Sequence, residues 1–212
     1  MPSTGSPADP AGADPTETPS LDELLAGYNA NIEHAMTAIE TLSVRQEMVE
    51  PEEGGGEKRA LAVLTYGRER GMEREELSSD IGHPKGEYTL RSLVGPEILA
   101  DEYGAVLAGI EEMDGRTCYR VSVTALERDR DHFDGDVWIE VGSLGLVHIV
   151  GEVADAPFPV QRVRLDKAFE PVADGFRLLR RHTGEVDIKL ALISRHGLMH
   201  IFYLDYAVTS SQ

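Results

Sequence analysis

Positive charge is scarce in this chain: 20 lysines and arginines stand against 38 aspartates and glutamates in 212 residues, a net charge of −18. A surface of that sign repels phosphate backbones and anionic lipid headgroups, so nucleic-acid binding is not expected. Cysteine is almost missing. Cys118 stands alone, so no internal disulfide forms, and a thiol with no assigned histidine partner reads as a small residue packed in a strand. No run of about 18 apolar residues is present to span a membrane as a helix. No apolar signal-peptide core follows Met1, which leaves a cytoplasmic chain or an exported one whose signal has been removed.

What is present divides in two. Residues 1–19 are rich in proline and hold no valine, isoleucine, leucine or aromatic residue, so they cannot bury enough apolar surface to offset ordering and are expected to form a disordered tether. Such a segment suits the stretch between an anchor or signal and a folded exported domain, and equally an ordinary flexible N-terminus. Residues 20–210 are expected to fold as one domain, since 41% hydrophobic content is enough for a single substantial core.

That domain opens on a helix. Ser20 with Glu23 forms a capping box, and Leu21, Leu24, Leu25, Tyr28, Ile32, Met36, Ile39 and Leu42 fall on one helical stripe. Short period-2 segments follow, EYTLRSL, FRLLRRHT and EVDIKLALI among them as separate strands, divided mostly by glycine or aspartate turns, with GPEILADEYG predicted as a short second helix. Links this short forbid parallel crossovers, so one large antiparallel sheet is predicted. Alternation places Tyr119, Val121 and Val123 on one side of their strand, and Val137, Ile139 and Val141 on one side of the next. Val147 with Ile149, Val163 with Leu165, Ile188 with Leu190 and Leu192, and Met199 with Ile201 and Tyr203 continue this apolar face. Arg120, Ser122, Glu140, His148, Lys189 and His200 take the other. Trp138 alternates away from Val137 and Ile139 and is expected on the outer face. The fold class is α+β, with a sheet that wraps its apolar face around the helix.

Four stretches invite a chemical reading and fail it. DRDHFDGDVWIE has acids at the first and third positions of a calcium loop and a glutamate at the twelfth, but Phe133 and Asp134 stand where a ligand and the turn glycine belong. His196 and His200 have zinc-protease spacing without the adjoining glutamate, and Gly197 interrupts any helix between them. VGSLG is one residue short of a nucleophile elbow. EGGGEK lacks phosphate-loop spacing and puts acids where phosphate would sit. No catalytic residue, metal or cofactor is therefore expected.

The order of Gly109, the turn Asp114-Gly115-Arg116 with Tyr119, then Phe133-Asp134-Gly135 leading into Val137-Trp138-Ile139, Gly151-Glu152, Asp174-Gly175-Phe176 and the closing Tyr203-Leu204-Asp205-Tyr206 resembles the outer-membrane lipoprotein-sorting proteins, the LolA/LolB-like group. The resemblance covers about half of the chain. Leu178-Leu179 departs from it, since many relatives carry a Leu-Pro pair there. It implies a strongly curved antiparallel half-barrel around a long N-terminal helix, short lid helices over an apolar hollow, and a periplasmic or cell-envelope location. The implied activity is non-enzymatic: carriage of a lipid or a lipoprotein acyl chain by a monomer, with an envelope protein as a possible partner. An alternative within the same resemblance is an envelope-stress sensor or interaction module without lipid transfer. The candidate lining is the apolar face: Tyr119, Val121, Val123, Val137, Ile139, Val147, Ile149, Val163, Leu165, Ile188, Leu190, Met199, Ile201 and Tyr203.

Overall fold

The computed structural model describes residues 18–52, 54–81, 88–172, 175–190 and 193–211. Its first element, α1 (Leu21–Ala38), starts where the capping box predicts: the Ser20 hydroxyl accepts from the Glu23 amide at 3.3 Å, and the Glu23 carboxylate accepts from the Ser20 amide at 2.9 Å. The helix stops four residues before the end of the apolar stripe. Ile39 and Leu42 belong instead to β1 (Ile39–Pro51), where an irregular register at Glu40 lets two residues three apart both turn inward before strict alternation resumes. A three-residue spacing that reads as helical is here a bulged strand.

Among the described residues ten strands form a single open antiparallel sheet in the order β3-β2-β1-β10-β9-β8-β7-β6-β5-β4. The others are β2 (Glu57–Gly67), β3 (Gly71–Ser79), β4 (Tyr103–Met113), β5 (Arg116–Ala125), β6 (Phe133–Glu140), β7 (Leu146–Val153), β8 (Val160–Pro171), β9 (Arg177–Leu190) and β10 (Ile193–Ser210). From β4 to β10 each strand pairs with the next, and the N-terminal hairpins join by pairing β1 with β10. Among the described residues no helix is long and apolar enough to cross a membrane.

Three segments differ from their sequence reading. GPEILADEYG is not helical; the second helix, α2 (Leu90–Val94), lies just before it, in a stretch predicted as strand. Thr89 and Ser92 cap one another's amides there, and Leu90, Leu93 and Val94 bury one face of the single turn. Phe133-Asp134-Gly135 is not a turn but the start of β6, paired with Val153, Glu152 and Gly151. Residues 177–183 and 185–190, from two segments read as separate strands, form one strand, because Gly184 is extended and paired with Leu165 on one side and Met199 on the other. The Asp174-Gly175-Phe176 turn and Leu192 lie partly or wholly outside the described residues.

The core joins the two layers. Leu24, Tyr28, Ile32 and Ala35 of α1 pack in one cluster with Leu42 and Val44 of β1, Val121 of β5, Val137 and Ile139 of β6, Ile149 of β7 and Leu178 of β9. Burial of these side chains stabilises the fold by roughly 1.5–3 kcal/mol each before ordering costs. A pair of glycines marks the close approach of β6 and β7: a Cβ on Gly135 would lie 2.2 Å from the Val150 oxygen, and one on Gly151 would lie 2.9 Å from the Phe133 ring. Phe133 can lie across Gly151 only because that side chain is missing.

Candidate functional site

The predicted lining residues separate into distinct environments. Tyr119, Val121, Val123, Val137, Ile139, Ile149 and Tyr203 are buried in the main core. Leu165 and Ile201 are half-buried against it, and Val163, Ile188 and Met199 are half-buried beyond it. The Leu190 side chain lies outside the described residues. Val147 departs from the predicted face. The β6–β7 ladder slips between Trp138 and Ile139, so Leu146 takes the inward place opposite Ile139 while Val147 packs with Cys118 and Trp138 in a second cluster. A bulge inverts alternation for the residue it inserts.

Helix α1 therefore fills much of the apolar face, and open space remains at one end of it. There a hollow of about 640 Å³ lies over β6, β7 and β8, bounded above by residues 89–96 and at its mouth by residues 130–132. Its apolar walls are Phe133, Ile149, Val153, Leu165 and Pro96. Ile149 and Leu165 were legible as inward residues; Phe133, Val153 and Lys167 were not singled out, although alternation along β7 and β8 points to the last two. A second hollow of about 560 Å³, with Met36, Tyr66, Met72 and Tyr88 in its walls, shares Thr89 and Arg91 with the first.

The upper wall is fixed by polar contacts from α1. Asn29 both donates to the Ile98 carbonyl and accepts from the Ile98 amide, each at 2.9 Å, as a neighbouring strand would. The Tyr28 hydroxyl donates to the Pro96 carbonyl at 2.6 Å. Gly95 ends α2 with φ at +116°, and a Cβ there would strike Leu146 at 2.5 Å, so only glycine lets the wall sit this close to the sheet.

Polar groups in the hollow are few and unequal. Arg91 pairs with Glu97 at 2.7 Å, and Arg130 stands 4.0 Å from Asp131. His132 Nδ1 lies 2.7 Å from Asp129, which also accepts from the Asp131 and His132 amides. That hydrogen bond raises the His132 pKa and lowers that of Asp129. Lys167 differs from all of these: it is half-buried, burial lowers its pKa, and no carboxylate partners it among the described residues. Opposite it on β9, His182 is pushed down to about 3 by burial and by the Lys167 charge, and its Nε2 has no hydrogen-bond partner.

The acids that drew attention in the sequence have structural partners. Asp134 accepts from the Ala125 amide at 2.8 Å and pairs with Arg128, while Asp136 accepts from Ser122. Among the described residues no three histidine, cysteine or acidic side chains are grouped to hold a metal ion. On the outer face Trp138 donates to Glu111 at 2.6 Å and meets His148 edge-on, and His148 is bracketed by Asp114 at 3.0 Å and Asp166 at 3.1 Å. Cys118 is buried in the same cluster, and that burial pushes its thiol up. Glu140 accepts from Ser143, Arg116 and Arg177; burial opposes its ionisation, but these donors outweigh it and hold the carboxyl at about 2.

No family model matches the chain, and no curated protein does. Solved structures to which it is similar include a DUF1329 family protein from Desulfovibrio piger, at 12% identity over 87% of this chain and 92% of that one, with a TM-score of 0.49. A lipoprotein-sorting protein domain from Vibrio parahaemolyticus is similar at 11% identity over 88% of this chain and 91% of that one, with a TM-score of 0.49. A LolA superfamily protein from Nitrosomonas europaea is similar at 11% identity over 92% of this chain and 96% of that one, with a TM-score of 0.43. The structures it resembles thus include the group that the sequence pattern brings up, and at this level the likeness transfers neither a residue role nor an activity.

Proposed function

We propose that the protein is a non-enzymatic cell-envelope protein that binds a lipid, or the acyl chain of a lipoprotein, in the hollow over β6, β7 and β8. In this reading the sheet serves as a half-barrel around α1, residues 89–96 serve as its lid, and the protein works as a monomer in the periplasm. One observation carries it: a hollow of about 640 Å³, walled by Phe133, Ile149, Val153 and Leu165, is left open beside the core that α1 forms with the sheet. That volume falls in the range of roughly 300–1,000 Å³ typical of ligand sites. Each methylene transferred into it contributes about 0.8 kcal/mol, so a single acyl chain supplies ample binding energy without help from a surface of net charge −18.

Native mass spectrometry of the purified protein, followed by solvent extraction and lipid analysis, tests this. An adduct of lipid mass that is released on extraction is expected. Protein that stays free of lipid after incubation with long-chain lipids contradicts it.

A second reading, an interaction module that reports on the envelope without lipid transfer, is favoured by the edge of the sheet. Among the described residues β4 has a neighbour on one side only, and it exposes Val106 and Ile110. An edge strand of this kind accepts an added strand from a partner. Binding of a partner that survives Val106→Lys and Ile110→Lys would remove that support.

A further inference from the structure

A hollow that takes an acyl chain also meets the head group at its end, so any inference about the head group rests on the hollow being a lipid site. Cross-strand pairing sets Val137, Ile149, Lys167, His182, Ile201 and Met48 in one line across β6, β7, β8, β9, β10 and β1. Four of these are apolar and two are basic. Lys167 also forms part of the wall of the hollow. A half-buried lysine without a carboxylate is conspicuous in a chain with 38 acidic residues from which to draw a partner. The other cations around the hollow, Arg91 and Arg130, already face Glu97 and Asp131. Directly across the β8–β9 ladder His182 Nε2 is buried without a partner, although His182 is not among the residues that line the hollow.

We infer that the hollow selects a single-chain amphiphile ending in one carboxylate, a long-chain fatty acid, whose head group pairs with Lys167 Nζ in the wall of the hollow. A carboxylate brings one charge for one ammonium, and its oxygens accept from the ammonium. A head group of higher charge would leave negative charge unmatched beside Asp131 at the mouth. Burial keeps the Lys167 pKa low in the free protein, and a bound carboxylate reverses that pressure.

Calorimetric titration of the full chain with oleate and with oleyl alcohol, which share a chain and differ in head group, tests the inference. Oleate should bind more tightly by on the order of 10- to 100-fold, the range of a charge-assisted hydrogen bond. Lys167→Met should weaken oleate more than oleyl alcohol and close the gap, with circular dichroism to establish that the variant is folded, and Lys167→Arg should keep the gap open. Equal affinity of the two ligands for the unaltered protein overturns the carboxylate inference and leaves the lipid site standing. A gap that persists in Lys167→Met does the same for the role of Lys167. Failure of both ligands to bind the unaltered protein overturns the lipid site itself.

Discussion

Two histidines on opposite faces of the same sheet meet opposite treatment. His148, on the outer face, is bracketed by two carboxylates and a tryptophan edge. His182, on the inner face, has an unpartnered Nε2 and an unpartnered lysine for its neighbour. Among the outer groups Glu140 with Ser143, Arg116 and Arg177 is the densest network, although Arg120 Nε and Arg177 Nη1 are buried without a partner. Lys167, beside His182, has no carboxylate partner among the described residues and stands in the wall of the hollow. The two histidines thus differ in their neighbours: one is held by charged partners, and the other lies beside a lysine whose charge a ligand can meet.

The contrast can be broken by substitution, beginning with the packed and unpacked parts of the inner face. Ile139→Ala, in the closed core beneath α1, should lower unfolding free energy by about 2–5 kcal/mol in denaturant titration, whereas Leu165→Ala, beside open space, should cost well under half as much. Comparable losses at both positions would mean that the hollow is not open in solution. The histidines come next. His148→Phe, which takes a partner from Asp114 and leaves Asp166 to Arg181, should lower the melting temperature, at about 0.5–1.5 kcal/mol per lost hydrogen bond, and His182→Phe, which removes a group with no partner at Nε2, should leave it unchanged or raise it.

Acid sharpens the outer-face side of the comparison. The Glu140 pKa is depressed from 4.5 to about 2, so its contribution to stability is complete above pH 4.5 and is lost as pH falls through about 2. Glu140→Gln should therefore flatten the loss of stability over that window, and an unchanged pH profile would show that its network contributes nothing. The smallest effect belongs to the loop ahead of β6. Asp129 is lowered and His132 raised by their mutual hydrogen bond. Their contribution is present between the two pKa values, falling away below that of Asp129 and above that of His132. Asp129→Asn should change thermal stability only slightly, and equally with and without calcium; a large calcium-dependent difference would restore a metal role.

Much of this arrangement can be read in the chain. The capping box places the start of α1, and alternation sorts the strands and puts Trp138 outside. Reading fails where one residue breaks a period. Ile39 and Leu42 keep helical spacing inside a strand because β1 is irregular at Glu40. Val147 leaves its expected face because the β6–β7 ladder slips beside it. Gly184, taken for a boundary, is an extended strand residue between Leu165 and Met199. The hollow is harder to read than the sheet, since which part of an apolar face stays uncovered depends on where α1 ends and where Asn29 and Tyr28 tie down residues 96–98. Lys167 did leave a signal: two residues beyond Leu165 on β8, it is a lysine at an inward position.

The central claim, that the space over β6, β7 and β8 is a binding site for an acyl chain, is tested most directly by filling that space. Oleyl alcohol titrated into the unaltered protein and into Leu165→Trp, with circular dichroism to establish that both are folded, should bind the first at one site and the second weakly or not at all. No binding to either protein, or equal binding to both, would contradict the account.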